Sequence, residues 1–372
     1  MNRLSRNILL IPGPLTTSRL VKKIAPLDYS AREEILIDKI KNIRSNLLKI
    51  TNLDKRGWTS VLFQGSGTMA NEAVISSLPD KSQIDVFSNG IYGDRLAEIS
   101  NRYDMLNKFS KIDHRAQLTG EIVERNIKNS HSTHIAFIHN ETTTGVLNNL
   151  EDICEVAKKY NKKIILDAIS SFGGVPIDIQ KLDIDYLVGS SNKCLHGYPG
   201  LGFVIVKRDS LEENKGCGRT LTLDLYDQYL DLQQKEQFRY TPPVQVISAL
   251  DTSLTELIEE GGVDTRHKTY KVLNDIVYDE LIVDGFTPYI RKFYSSPIVS
   301  TYTIPNYVTD FNFEIYAKEL RDHNIVLYPS PIPNDRVIRI GNIGDITTNE
   351  LYDSLFIMKK LISQSKYVYK LR

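Results

Sequence analysis

The chain has 372 residues, with 46 Lys+Arg against 46 Asp+Glu, so net charge offers no electrostatic case for a nucleic-acid or membrane-surface partner. Three scattered cysteines (Cys154, Cys194 and Cys217) have neither metal-ligand spacing nor disulfide density; we expect no metal site and a reducing, cytoplasmic compartment. No apolar run approaches the roughly 18 residues of a membrane span, and the stretch before Pro12 is too short for a signal-peptide core.

Strand-length apolar runs alternate with helical patterns through the first two thirds of the chain. Thr59 to Gly65 reads as a strand ending in glycine and Thr68 to Leu78 as a helix. Gln83 to Gly90 is a strand, and Gly93 to Tyr103 a helix with apolar residues three and four apart. Thr133 to Asn140 is a strand, Leu150 to Asn161 an amphipathic helix and Lys163 to Ser170 a strand; Asp185 to Ser191 and Gly202 to Arg208 are two more. This alternation predicts an α/β fold with a mostly parallel central sheet and helices on both faces. After about Leu250 the pattern changes. Ile258 to Phe286 reads as one long helical region closed by Gly285. Ser296 to Pro305 alternates like a strand, Phe311 to Ile325 is a helix, Val337 to Gly344 a strand and Thr348 to Ser365 a final helix. We expect residues 1–255 to form a large domain that includes the N-terminal segment, and residues 256–372 a smaller α+β domain.

Chemistry gathers at the strand ends. The turn Gly65-Ser66-Gly67-Thr68 lies between a strand and a helix, where backbone N–H groups, two hydroxyls and the helix dipole suit a phosphate. Asp167 closes an apolar strand, where a carboxylate is costly without a partner. Lys193 follows the next apolar strand, 26 residues later, and consecutive strands of such sheets are commonly neighbours. A phosphate nest, a carboxylate and a lysine around one crevice match what pyridoxal 5'-phosphate requires. The lysine condenses with its aldehyde, the carboxylate keeps its ring nitrogen protonated, and the nest takes its phosphate. Tyr92 and Ile169 are placed to cover the two ring faces, and the hydroxyls of "HNETTTG", His139 to Gly145, sit at a fourth strand end.

The stretches "IPGPLTTS", "QGSGTMANEAV", "SNGIYGDR", "HNETTTGVLN", "DAISSFGGVPID", "SSNKCLHGYPG", "TLTLDLY" and "RIGNIG" occur in that order along nearly the whole chain. In these motifs the sequence resembles the class V branch of the fold-type I pyridoxal-phosphate enzymes, and within it the enzymes that transaminate 2-aminoethylphosphonate with pyruvate. The resemblance implies that Lys193 carries the cofactor and shuttles the proton, and that Asp167 pairs with the pyridine nitrogen. It implies that Ser66, Gly67, Thr68 and Asn192 hold the phosphate, that Tyr92 stacks on the ring beside Ile169, and that Thr142 lies near the phenolic oxygen. Thr241 would reach the phosphate bound by a neighbouring subunit, which implies a homodimer with composite sites. Arg339, a planar fork of donors between two isoleucines, would bind the substrate's anionic end, with Thr17 and Ser18 as further contacts. His196 reads as a solvated loop histidine and Cys194 as a packed small side chain. The alternative within the family is an alanine or serine aminotransferase using glyoxylate or pyruvate. A more distant alternative is a desulfurase, with Cys217 as its nucleophile.

Overall fold

A computed structural model describes residues 4–309, 311–332 and 336–368. Its centre is a seven-stranded sheet of β1 (Trp58–Gln64), β2 (Ile84–Ser88), β3 (Leu106–Lys111), β4 (His134–Ile138), β5 (Lys163–Asp167), β6 (Tyr186–Ser190) and β7 (Leu201–Lys207), in the order β1-β7-β6-β5-β4-β2-β3. The pairs from β6 to β3 are parallel, and β7 runs antiparallel to both β6 and β1. Apart from Lys163 at the start of β5, the strands β2, β4, β5 and β6 are buried throughout, as a sheet covered on both faces requires. Helices α1 (Glu34–Lys49), α2 (Gly67–Ser76), α3 (Ile91–Arg102) and α4 (Val244–Glu259) pack their apolar sides into this core. β3, with its exposed lysines and asparagine, forms one edge, and its charge keeps that edge solvated.

The expected single helix across Ile258 to Phe286 is two helices. α4 ends at Glu259, and α5 (Gly262–Val283) starts afresh. The break falls at Gly261 and Gly262, whose φ angles of +106° and +78° lie in the region that glycine enters without steric penalty. α5 leads into a three-stranded antiparallel sheet of β8 (Thr287–Pro288), β9 (Val299–Thr303) and β10 (Val337–Gly341). This sheet forms a second core with Leu273, Val277 and Leu281 of α5 and Leu351, Leu355 and Met358 of the last helix. Ile8 and Leu10 are buried in that second core, Ile8–Leu9 pairs with Ile325–Val326, and Gly341 N donates to Leu10 O at 3.1 Å. The N-terminal segment therefore packs on the small sheet before it reaches the mouth of the large one.

Candidate active site

The carboxyl ends of the parallel strands meet at a cavity of about 210 Å³. Crevices at this end of an open α/β sheet are where such folds bind ligands. Of the residues singled out by sequence, Ser66, Gly67, Thr68, Tyr92, Thr142, Asp167, Ile169, Asn192 and Lys193 all line it. β5 delivers Asp167 and β6 delivers Lys193, and the two strands are paired neighbours with Asp167 opposite Val188.

Asp167 is buried and accepts hydrogen bonds from Asn71 Nδ2 at 2.6 Å and from the Ile169 amide at 2.9 Å. Burial pushes its carboxyl up to about 6, and these two donors pull in the opposite direction. Its carboxyl is held in place by these two donors and has no ion-pair partner among the described residues. Lys193 Nζ donates to the Pro12 carbonyl at 2.8 Å. Burial lowers its amine to about 8, and Arg339 nearby adds to the lowering. A lysine so shifted supplies neutral amine near physiological pH, which nucleophilic and proton-transfer chemistry both need. Gly13 makes the close approach of the N-terminal loop possible: a Cβ there would meet Lys193 Cδ at 2.7 Å.

Helix α2 opens on the Ser66 turn, and its N-cap side chain makes no capping bond of its own. The amide end of α2 remains directed at the cavity as an anion site. A Cβ on Gly67 would meet Ile169 Cδ1 at 2.5 Å, so the glycine admits the isoleucine that forms one cavity wall. Tyr92 also lines the cavity, with the Arg95 guanidinium 5.2 Å from its ring centroid and Arg95 Nη1 3.4 Å from Thr68 Oγ1. Asn140 lines the cavity with both side-chain amide atoms buried and unpartnered, an arrangement that is costly unless a ligand supplies the partners. Uncapped amides, a carboxyl with no ion-pair partner among the described residues, a lowered lysine and an orphaned amide together fit a phosphorylated, hydroxylated aromatic aldehyde with a basic ring nitrogen.

Arg339, on β10 of the small sheet, is 7 % exposed. Its Nη1 donates to the Thr142 carbonyl and its Nε has no partner, which leaves donor capacity for an anion. Glu141 is fully buried behind it, accepting from Thr143 N at 3.0 Å, Thr143 Oγ1 at 2.6 Å and Gly93 N at 3.2 Å; burial pushes its carboxyl up to about 7. Arg339 does not itself line the cavity but reaches it through Thr142, which does. Three further residues lie elsewhere. Ser18 accepts from Val21 N at 3.1 Å and caps the helix Arg19–Ile24; Thr17 is buried beside it; Thr241 is exposed; none lines the cavity. His196 is part-buried rather than solvated, with Nε2 2.6 Å from the Tyr270 hydroxyl. Cys194 is packed as expected.

Sequence reasoning does not single out Asn71, Arg95, Asn140 or Glu141. Asn71 sits four residues beyond Gly67, one helical turn down the same face, and that spacing was the available signal.

Fold and site together define a pyridoxal-phosphate enzyme of fold type I. The class-V aminotransferase family matches residues 28–307, and the chain belongs to it. Two relatives are each named 2-aminoethylphosphonate–pyruvate transaminase. The one from Bacteroides fragilis strain YCH46 is 39 % identical, over 91 % of this chain and 94 % of that protein. The one from Bacillus cytotoxicus is 38 % identical, over 93 % and 95 %. Among solved structures, a pyridoxamine–pyruvate aminotransferase from Mesorhizobium loti superposes with a TM-score of 0.88 at 18 % identity, covering 98 % of this chain and 93 % of that one. A ureidoglycine–glyoxylate aminotransferase from Bacillus subtilis gives 0.87 at 19 %, covering 98 % and 95 %.

Proposed function

We propose that the protein transfers the amino group of 2-aminoethylphosphonate to pyruvate, giving phosphonoacetaldehyde and L-alanine. The observation that carries the reading is the convergence of Lys193, Asp167 and the α2 nest on one cavity, with the buried, donor-rich Arg339 set close by. The names of the relatives, whose length the chain nearly spans, support the choice of substrates.

When bound, pyridoxal phosphate supplies an electron sink for the carbon that loses its proton. Lys193 anchors the cofactor through Nζ and gives way to the incoming amine. Once free of the cofactor, Nζ would accept the proton from the substrate carbon that bears nitrogen and pass it to the cofactor's former aldehyde carbon, the net shift that transamination requires. Asp167 holds the ring nitrogen's proton, with Asn71 and the Ile169 amide fixing its two oxygens. Ser66, Gly67, Thr68 and Asn192 would hold the phosphate, Tyr92 and Ile169 the ring, and Thr142 the phenolic oxygen. Arg339 receives the phosphonate in one half-reaction and the pyruvate carboxylate in the other, two anions that suit one guanidinium fork. We assign the working unit as a homodimer, Thr241 of each subunit reaching the other's phosphate, and the place of action as the cytoplasm. Cys154, Cys194 and Cys217 are free, and among the described residues no helix is long and apolar enough to cross a membrane.

The test is the visible absorption of the cofactor-loaded protein. Adding 2-aminoethylphosphonate without a keto acid should bleach the band, and pyruvate should restore it. A band that ignores the phosphonate but is bleached by alanine or serine moves the assignment to the glyoxylate-using relatives.

A further inference from the structure

The peptide after Lys193 is held by a network that the reaction does not itself require. His196 N closes a tight turn on Lys193 O at 2.9 Å, and His196 itself sits at φ +62°. Inside the turn, Cys194 is fully buried, so its carbonyl has no access to water. The partner is Arg266 of α5, whose Nη1 donates to Cys194 O at 2.6 Å. Arg266 is only 3 % exposed, and a guanidinium so buried is tolerated when a carboxylate faces it. Glu260 does this with both oxygens, at 2.5 Å to Nε and 2.8 Å to Nη2. The pair meets because Gly261 and Gly262 fold α5 back on the end of α4.

One helical turn along, Tyr270 makes the second anchor, its hydroxyl 2.6 Å from His196 Nε2. Its ring lies directly against the turn: a Cβ on Gly174 would meet Cys194 Sγ at 2.6 Å and Tyr270 Cε2 at 2.7 Å. Between the two, His267 Nδ1 lies 3.0 Å from Gly174 O. One face of α5 thus grips the peptide on the C-terminal side of Lys193 at two points, while the far end of the same helix is buried in the small-domain core.

We propose that Arg266, neutralised by Glu260 and assisted by Tyr270, is the positioning residue that fixes the backbone of the Lys193 turn and so sets where Nζ works. A shift of about 1 Å in a reacting group lowers rates by roughly 10²-fold, so a fixed peptide at this point bears directly on turnover. The inference rests on Lys193 carrying the cofactor. In this role Arg266 leaves substrate affinity alone and acts on the lysine's rate and titration.

The test uses the full-length, cofactor-loaded protein as parent, Arg266→Met, Arg266→Lys and Tyr270→Phe. Three quantities are read: the pH midpoint of the visible band, the single-turnover bleaching rate with 2-aminoethylphosphonate, and KM. Arg266→Met should shift the midpoint and slow bleaching by about 10- to 100-fold with KM within about threefold. Arg266→Lys keeps the charge opposite Glu260 but cannot hold carboxylate and carbonyl with one fork, and should fall between. Should Arg266→Met fail to fold, Arg266→Lys and Tyr270→Phe carry the test, and both should shift the midpoint. Folded variants with the parent's midpoint and bleaching rate overturn the inference. A parent whose band the phosphonate does not bleach overturns instead the reading on which it rests, so the two failures are distinguishable.

Discussion

At the scale of single residues, burial sets the chemistry. Lys193 and Asp167 are both shifted toward their neutral forms, the amine to about 8 and the carboxyl to about 6. The signs are opposite in consequence. The depressed amine gains neutral, proton-accepting Nζ as pH rises through about 8. The raised carboxyl loses its charge as pH falls through about 6, and a cation bound beside it draws that limit lower. The proton-transfer step of single-turnover bleaching, in which Nζ is free of the cofactor, should therefore speed up between about pH 6 and 9; a step that slows over this range contradicts the assignment of Nζ as base. Lys193→Ala should cost at least about 10²- to 10⁴-fold in both half-reactions. Asp167→Asn should retain bound cofactor and lose most turnover. Turnover near the parent's in the lysine variant removes the mechanism.

At the scale of elements, helix α2 does two jobs one turn apart. Its first turn is the anion nest, and Asn71 in its second turn donates to Asp167. A single rigid helix thus sets the distance between the anion nest and Asp167. The nest was legible from sequence because glycine and hydroxyl residues at a strand-to-helix junction announce a backbone purpose. Asn71 was not, because a polar residue inside a helical pattern reads as a solvent-facing position until the sheet is packed beneath it. Glu141 and Asn140 were hidden for the reverse reason: "HNETTTG" draws attention to its hydroxyls, and burial of the two preceding side chains is a tertiary fact. The break between α4 and α5 was written plainly in Gly261-Gly262, yet the apolar periodicity on either side masked it. The Asn71 bond favours the ionised carboxylate, so Asn71→Ala should raise the Asp167 pKa and move the acid limb of the pH–rate profile upward. An acid limb at the parent's position would show that the Ile169 amide alone holds Asp167.

At the scale of the whole molecule, the cavity is assembled from distant parts. The large sheet supplies Asp167 and Lys193, the small sheet brings Arg339 against Thr142 at the cavity's wall, and the N-terminal segment brings the Pro12 carbonyl to Lys193. Thr241 fits none of these: it is exposed and lies apart from the cavity of its own chain. Its neighbour Tyr240 is an exposed apolar side chain at 47 %. The proposed homodimer would account for this exposure where its two-fold interface sets each subunit's Thr241 at the other's site. The composite arrangement makes a prediction that a self-contained site cannot match. Lys193→Ala and Thr241→Ala are each defective, but in a mixed dimer one of the two sites combines an intact Lys193 with an intact Thr241. Co-expressing the two variants with different tags should yield mixed dimers, and random pairing should restore about a quarter of the parent's intact sites. Purified mixed dimers no more active than half the Thr241→Ala homodimer would show that each site is completed within its own chain.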